Sequence, residues 1–435
     1  MDPTLVALVL LVVMAVLLTA GLWVALSLLG VGLAGLVLFT SAPAGTVMAT
    51  TVWGASGNWA LTALPLFIWM AEILFRTRLS DDMFRGLAPW LTRLPGRLMH
   101  INIVGCGIFA AVSGSTSATC ATIAKIALPE LLRRGYDERM AVGTLTASGT
   151  LGILIPPSIM MIVYGFIAEV SIARLFIAGV VPGIMMVILF MVYVIVWALL
   201  NPGKTPPSDI SSMTFGQRLW MSRRLIPVVC LIALVVGTIY GGVATPTEAA
   251  TIGVLGALAL SLLYGSLTWS NFVQSLVGAT QTSCMIAFIL AGASFLTIAM
   301  GYTGIPRAAA AWITSYQLSV YGLLAALTVL YVLLGFALDG ISMVVLTSSV
   351  VQPMIRQAGV DPVWFGIYIV LLVQVAELTP PVGFPMFIMQ MMTGRSLTYV
   401  SRAALPFFVL LLIGTAIIVV FPDLVTYLPN RMLNR

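Results

Sequence analysis

Charge is the scarcest property of this chain. Asp, Glu, Lys and Arg make up 8% of its 435 residues, against roughly 25% in an average soluble domain. So few charges cannot clothe a globular surface, and they cluster between apolar runs of about 20 residues, enough to cross a hydrocarbon core of roughly 30 Å. Histidine occurs once, at His100, and neither H-E-x-x-H nor a nucleophile paired with a base is present, so intramembrane catalysis has no machinery and no enzyme is expected. No G-x-x-x-x-G-K-[ST] occurs, which excludes an ATPase of that type. The four cysteines, Cys106, Cys120, Cys230 and Cys284, lack metal-like spacing and read as small buried packing residues. Short alternating segments are also missing, which argues against a β-barrel. Met1-Asp2-Pro3-Thr4 has no basic region before the first apolar run and no A-x-A-like site, so that run reads as a retained membrane helix. What remains is an all-α polytopic membrane protein. Its net charge of +6 is explained by membrane topology, with no nucleic-acid partner.

A gapless shift of 224 residues superposes the two halves. Pro3, Pro129, Pro156, Pro157 and Pro182 fall on Pro227, Pro353, Pro380, Pro381 and Pro406, and Gly135 and Asp137 fall on Gly359 and Asp361. The chain therefore divides into repeat 1 (1–200), a polar cytoplasmic linker (201–222), repeat 2 (223–422) and a C-terminal tail (423–435). Repeat 1 reads as scaffold helices within 1–76, an amphipathic arm (77–97), an interrupted segment (98–134), a broken helix (138–168) and a last helix (173–199). Each arm of 98–134 is about 15 residues, or roughly 22 Å, too short to cross, so the segment is a re-entrant hairpin with its tip at Ser113-Gly114-Ser115-Thr116-Ser117. Its mates are a hairpin at 322–358, with the tip near Asp339, and a broken helix at 362–392.

Five crossings per repeat make the second repeat inverted, an arrangement typical of transporters. Placing the arm on the cytoplasmic side puts fourteen Lys and Arg inside, Arg76, Arg78, Arg139, Arg395 and Arg402 among them, and five outside (Arg174, Arg307, Arg356, Arg431 and Arg435), as the positive-inside rule requires. Both termini are then periplasmic.

Five separated motifs carry a family resemblance: Ser113-Gly114-Ser115-Thr116-Ser117-Ala118-Thr119 with Leu128-Pro129-Glu130 and Arg134-Gly135-Tyr136-Asp137; Gly149-Thr150-Leu151-Gly152-Ile153-Leu154-Ile155-Pro156-Pro157-Ser158; Tyr240-Gly241-Gly242-Val243-Ala244-Thr245-Pro246-Thr247-Glu248; Phe336-Ala337-Leu338-Asp339; and Thr379-Pro380-Pro381-Val382-Gly383. Over essentially its whole length the chain resembles the large membrane subunit of tripartite ATP-independent periplasmic (TRAP) transporters. It departs from the family pattern at Phe384-Pro385-Met386-Phe387, where an Asn-Leu-Phe-like sequence is usual. The resemblance implies an elevator-type secondary transporter of the bacterial inner membrane that imports an organic acid, a carboxylate or sulfonate, with sodium ions and no other cofactor. It also implies two partners: a periplasmic substrate-binding protein and a small four-helix membrane subunit.

A helix broken inside hydrocarbon exposes N–H and C=O groups that something must satisfy; in a transporter, ligand and ion do so. The helix after Ser115 presents N–H groups to a carboxylate, and free carbonyls before it suit a hard cation. The first sodium site is thus assigned to Ser113, Ser115, Gly149 and Leu151, and its repeat mate to Asp339, Gly340, Ala376 and Thr379. The two are expected to differ in affinity, since the first tip is uncharged. Substrate should lie between the tips, touching Ser115, Thr116, Pro156, Ser342 and Pro380. No Arg or Lys marks a carboxylate clamp at either tip. Bland readings compete. Ser and Thr in membrane helices often bond back onto backbone. Glu72, an ionisable group in apolar context, reads either as functional or as a residue that lies near an interface or bonds a scaffold helix. Glu377 has Ile153 as its repeat mate and reads first as structural, with a proton-coupled role as the alternative. Thr245-Pro246-Thr247-Glu248 reads as a capping box, His100 as a snorkelled interfacial residue, and Trp23, Trp53, Trp59, Trp90 and Trp364 as interfacial anchors.

Overall fold

In the computed structural model, which describes residues 3–77, 79–206, 214–306, 308, 319–336, 338–380 and 383–433, every regular element is a helix among the described residues. Repeat 1 contains α1 (Pro3–Thr19), α2 (Val24–Phe39), α3 (Ala44–Ser56), α4 (Ala63–Phe75), α5 (Leu79–Leu91), α6 (Met99–Ser113), α7 (Thr116–Arg133), α8 (Glu138–Gly149), α9 (Ile159–Ala168) and α10 (Ile172–Leu200). After α11 (Phe215–Ser222), repeat 2 contains α12 (Ile226–Tyr240), α13 (Pro246–Leu263), α14 (Trp269–Thr303), α15 (Val320–Leu334), α16 (Gly340–Gln357), α17 (Pro362–Glu377), α18 (Phe384–Thr393) and α19 (Leu397–Val420), and α20 (Asp423–Leu433) closes the chain. The bounds of α16 are those of α7 moved by 224 positions, and α17 starts where the same shift places the start of α8.

The repeats are not copies in their scaffold helices. α14 is one continuous helix of 35 residues. Its mate is broken into α3 and α4, whose axes meet at 49°. The scaffold helices expected within 1–76 thus include a bent pair that composition did not separate. The break falls at Gly57-Asn58, where the Asn58 side chain accepts from Ala60 N at 2.9 Å and starts a new helical turn. Glycine here and asparagine capping the next turn both favour leaving the helix.

The linker and the tail each contain a helix. The linker holds α11, started by a capping box between Thr214 and Gln217. It lies along α5: Trp90 donates to Ser222 Oγ at 2.6 Å, and Arg224 pairs with Asp82 at 3.0 Å. The tail forms α20, which lays its fully buried Val425 among the core residues beside α10.

The scaffold is α2, α4, α13 and α14, packed on one another. Glu72 bonds Arg76 one turn on, while Arg76 reaches Gln274 O at 3.4 Å and Trp69 reaches Ser275 Oγ at 3.2 Å. Glu72 therefore braces α4 against α14, the second of its two readings. The capping box at Thr245 forms as its spacing required.

The other unit exchanges its partners crosswise. α7 packs on α18 and α16 on α9; α8 packs on α19 and α17 on α10. The start of α8 meets the connection before α19, through Glu138 to Arg395 at 2.7 Å. The start of α17 meets the end of α9 instead, where Tyr164 donates to Pro362 O at 2.8 Å. The two broken spans therefore run in opposite directions. At the breaks, Gln374 Nε2 donates to Thr150 O at 3.0 Å, so repeat mates bond each other.

Several surface assignments are corrected. His100 is fully buried, its Nε2 lying 2.6 Å from Pro95 O, because the chain folds back at Gly96 over the start of α6. Trp364 is a core residue that stacks on Tyr368 and donates to Ile418 O at 3.2 Å, whereas Trp23, Trp53, Trp59 and Trp90 are exposed. Cys106 and Cys120 are buried, but Cys230 and Cys284 are exposed, since they fall on outward faces of apolar helices. Arg78, Arg307, Arg435 and Pro381 lie outside the described residues.

Candidate functional site

The hairpin tip between α6 and α7 is shaped by Gly114, whose φ of +60° is left-handed and open at low cost to glycine alone. The tip is nested against the start of α9: Ile159 N donates to Gly114 O at 3.2 Å, and a Cβ on Gly114 would lie 2.9 Å from Pro157 O. Below it, a 3-10 turn over Thr150–Ile153 interrupts the span from α8 to α9. Gly152 lets this turn touch the tip, for a Cβ there would lie 2.4 Å from Ser115 O and 2.7 Å from Thr119 Oγ1. Ser113 Oγ and Thr119 Oγ1 are 2.6 Å apart.

Of the residues assigned to a first cation site, Ser113, Ser115 and Gly149 sit where tip and break meet. Thr119 joins them; sequence reading quoted it only as part of a motif, though a hydroxyl one turn into α7 faces the same way as Ser115. Leu151 differs. Its carbonyl already accepts from Leu154 N and Ile155 N, each at 3.0 Å. The Thr150 hydroxyl is likewise turned back onto Ala147 O at 2.8 Å. The turn satisfies its own carbonyls locally, which spacing alone could not show.

At the second tip, Asp339 caps α16 by accepting from Ser342 N at 3.2 Å. Gly340 packs on Val373, and a Cβ there would lie 3.3 Å from Glu377 Oε1. The Ala376 carbonyl is not free: it accepts from Thr379 N at 3.0 Å and from the Thr379 hydroxyl at 2.5 Å. Of the assigned donors, the Asp339 carboxylate is left for a cation, since the Asp339 carbonyl accepts from Met343 N at 2.9 Å.

Both tips open on one cavity of about 290 Å³, lined by Ser115, Thr116, Asp339, Gly340 and Glu377 and closed on the scaffold side by Thr282, Met285, Ile286 and Ile289 of α14. Thr116 is 3% exposed and directs its hydroxyl at the Glu377 carboxyl without completing a hydrogen bond; Glu377 Oε2, closed off from solvent, has no partner either. Ser342 Oγ is also buried and unpartnered, and lines an adjoining cavity of about 740 Å³ with Asp339, Gln281 and Cys284.

Two assigned substrate contacts lie elsewhere. Pro156 lines a separate apolar cavity with Val104, Ile184 and Tyr240, although the next carbonyl, Pro157 O, lies against the first tip at Gly114. Pro380 is exposed. Thr282 is what sequence reading missed; Glu377, an acid in an apolar run, reads there first as structural and lines the cavity instead. Thr282 carried no signal, since it lies in the scaffold and faces the tips only through tertiary packing.

Residues 11–424 match the family model of the tripartite ATP-independent periplasmic transporter, DctM component. The chain belongs to the DctM family of TRAP transporters. It is 30% identical over 386 residues, 88% of this chain and 89% of the relative, to the C4-dicarboxylate TRAP transporter large permease protein DctM of Pseudomonas aeruginosa. It is 31% identical to the ectoine TRAP transporter large permease protein TeaC of Halomonas elongata, over 85% of this chain and 86% of that one. With the sialic acid TRAP transporter large permease protein SiaM of Vibrio cholerae it shares 28% identity over 96% and 97%. Among solved structures, the YdaH transporter of Alcanivorax borkumensis, noted for an unusual topology, superposes with a TM-score of 0.61 at 13% identity, covering 86% of each chain; that likeness concerns the fold alone.

The permease is thus a multi-pass membrane protein and the large component of a TRAP system. Among the described residues, five helices are long and apolar enough to cross a membrane, or six spans if α3 and α4 count as one bent crossing. Residues such as Ile184, Ile188 and Val192 of α10 are left exposed, as a lipid-facing surface requires.

Proposed function

We propose that the permease imports a small organic acid, handed over by a periplasmic binding protein, and drives uptake with sodium by moving the hairpin-bearing unit past the scaffold as an elevator. A small membrane subunit accompanies it, the membrane is the bacterial inner membrane, and both termini are periplasmic. One observation supports this reading above the others: the two hairpin tips converge from opposite repeats on a single cavity whose far wall belongs to the scaffold helix α14. A solute held there is carried by one unit and exposed or covered by the other. Oxygen donors at both tips, with no group of three or more His, Cys, Asp or Glu among the described residues, suit a hard monovalent cation better than a transition metal.

The reading is tested in proteoliposomes containing both membrane subunits, with the binding protein and its identified ligand outside. Replacing external sodium with potassium is expected to reduce uptake at least about tenfold, the factor that about 1.4 kcal/mol of lost driving force corresponds to. Undiminished uptake refutes the coupling; full uptake without the binding protein refutes the tripartite scheme.

A further inference from the structure

We infer that the solute seated between the two tips is a zwitterion, with its carboxylate at the start of α7 and a cationic nitrogen at Glu377. The inference rests on the reading of that cavity as the solute site. Its ends are electrically different. At the α7 end, Ser115 stands at the N-cap but makes no capping hydrogen bond with its side chain, so the first N–H groups of the helix, which have no carbonyl one turn back, remain available to an anion. Two neighbouring starts are closed: Asp339 caps α16, and Ser158 caps α9 by accepting from Met161 N at 3.3 Å; the third, at Gly383 before α18, has no side-chain cap but places Phe384 on the cavity wall. At the other end stands Glu377, with Oε2 shut off from solvent and unpartnered, facing the unpartnered hydroxyl of Thr116.

Asp339 adds a second carboxylate, and among the described lining residues there is no Lys, Arg or His. With sodium held at Asp339, a solute carrying only negative charge would still meet Glu377 and no base in a low-dielectric space, where like charges repel strongly. An ammonium or amidinium group turns the same Glu377 into a charge-assisted hydrogen-bond acceptor, while Met285, Ile286 and Ile289 offer an apolar wall for the carbon skeleton. The sequence departs from the family pattern close by, at Phe384-Pro385, and Phe384 lines the cavity.

The test uses the purified complex of both membrane subunits in detergent with sodium present. Thermal stabilisation is measured with three zwitterions (4-aminobutyrate, proline and glycine betaine) and three matched anions (butyrate, cyclopentanecarboxylate and succinate). At least one zwitterion is expected to raise the melting temperature while the anions do not. Glu377→Gln is expected to raise the half-maximal zwitterion concentration about tenfold and to leave the sodium-dependent shift intact. A shift from an anion with the zwitterions silent, or no shift from any zwitterion, overturns the inference; the wild-type panel decides this even if the variant fails to fold. Loss of the sodium shift in Glu377→Gln also overturns it, by making Glu377 a cation ligand. A zwitterion shift that survives Glu377→Gln but is lost in Thr116→Val refutes the charge assignment only. One that survives both variants places the solute elsewhere and refutes the cavity reading itself.

Discussion

Gly152→Ala is the sharpest perturbation the site allows. A single methyl group placed there would lie 2.4 Å from Ser115 O, 2.6 Å from Ser115 C and 2.7 Å from Thr119 Oγ1. Two of these are backbone atoms of the hairpin tip, which cannot rotate away like the end of a side chain. Either the tip or the 3-10 turn must shift. Overpacking of this kind costs about 1–3 kcal/mol, and the shift would also pull apart the oxygens of Ser113, Ser115 and Thr119. The control is Gly301→Ala on α14, where nothing lies within 4 Å and alanine relieves the helix penalty of glycine. The assay is the melting temperature of the purified complex with and without sodium. Gly152→Ala is expected to melt lower by a few degrees and to lose most of its sodium-dependent stabilisation, while Gly301→Ala keeps both. A Gly152→Ala protein with unchanged melting temperature and full sodium response would show that the tip does not seat on the break, and the cation-site argument would fall with it.

The two tips should respond differently to simple substitutions. Asp339→Asn keeps an efficient cap on α16, since Asn caps as well as Asp, but removes the charge; sodium titrations should show a weakened response with stability retained. Ser115→Ala should have the smaller effect on that titration, because the Ser115 side chain makes no capping bond and its carbonyl, which meets Gly152, remains. Equal losses in the two variants would refute this asymmetry. Thr245→Ala removes the cap at the start of α13 and should cost about 1 kcal/mol, read as a lower melting temperature without change in sodium response; a changed response would mean that α13 is coupled to the tips.

The repeat, both hairpins and both broken spans were legible in the sequence because they rest on local chemistry. Proline removes backbone donors wherever it stands, an arm of about 15 residues cannot cross a bilayer, and glycine at 114 marks a turn before any partner is known. The capping box at Thr245 is likewise a matter of three neighbouring residues. The linker helix α11 was not legible because it is only eight residues long and is held by a contact with a distant residue, Trp90 of α5 on Ser222. His100 and Trp364 were put at the membrane interface by residue type, yet packing buried both, and no local rule contains the neighbours that did so.

The same division holds at the site. Sequence alone determined that Ser115 and Asp339 occupy equivalent turns of inverted repeats, since a gapless shift preserves register. Only the tertiary structure decided which groups share a cavity. Crosswise packing of α7 on α18 and α16 on α9 brings Thr116 to Glu377, residues 261 positions apart, and sets Thr282 against them from the scaffold. Pro156 faces another cavity, and the carbonyls of Leu151 and Ala376 are closed by hydrogen bonds from residues three or four positions on. The physical reason is that a backbone break advertises itself in composition, whereas the partner that satisfies it is chosen by distance in space.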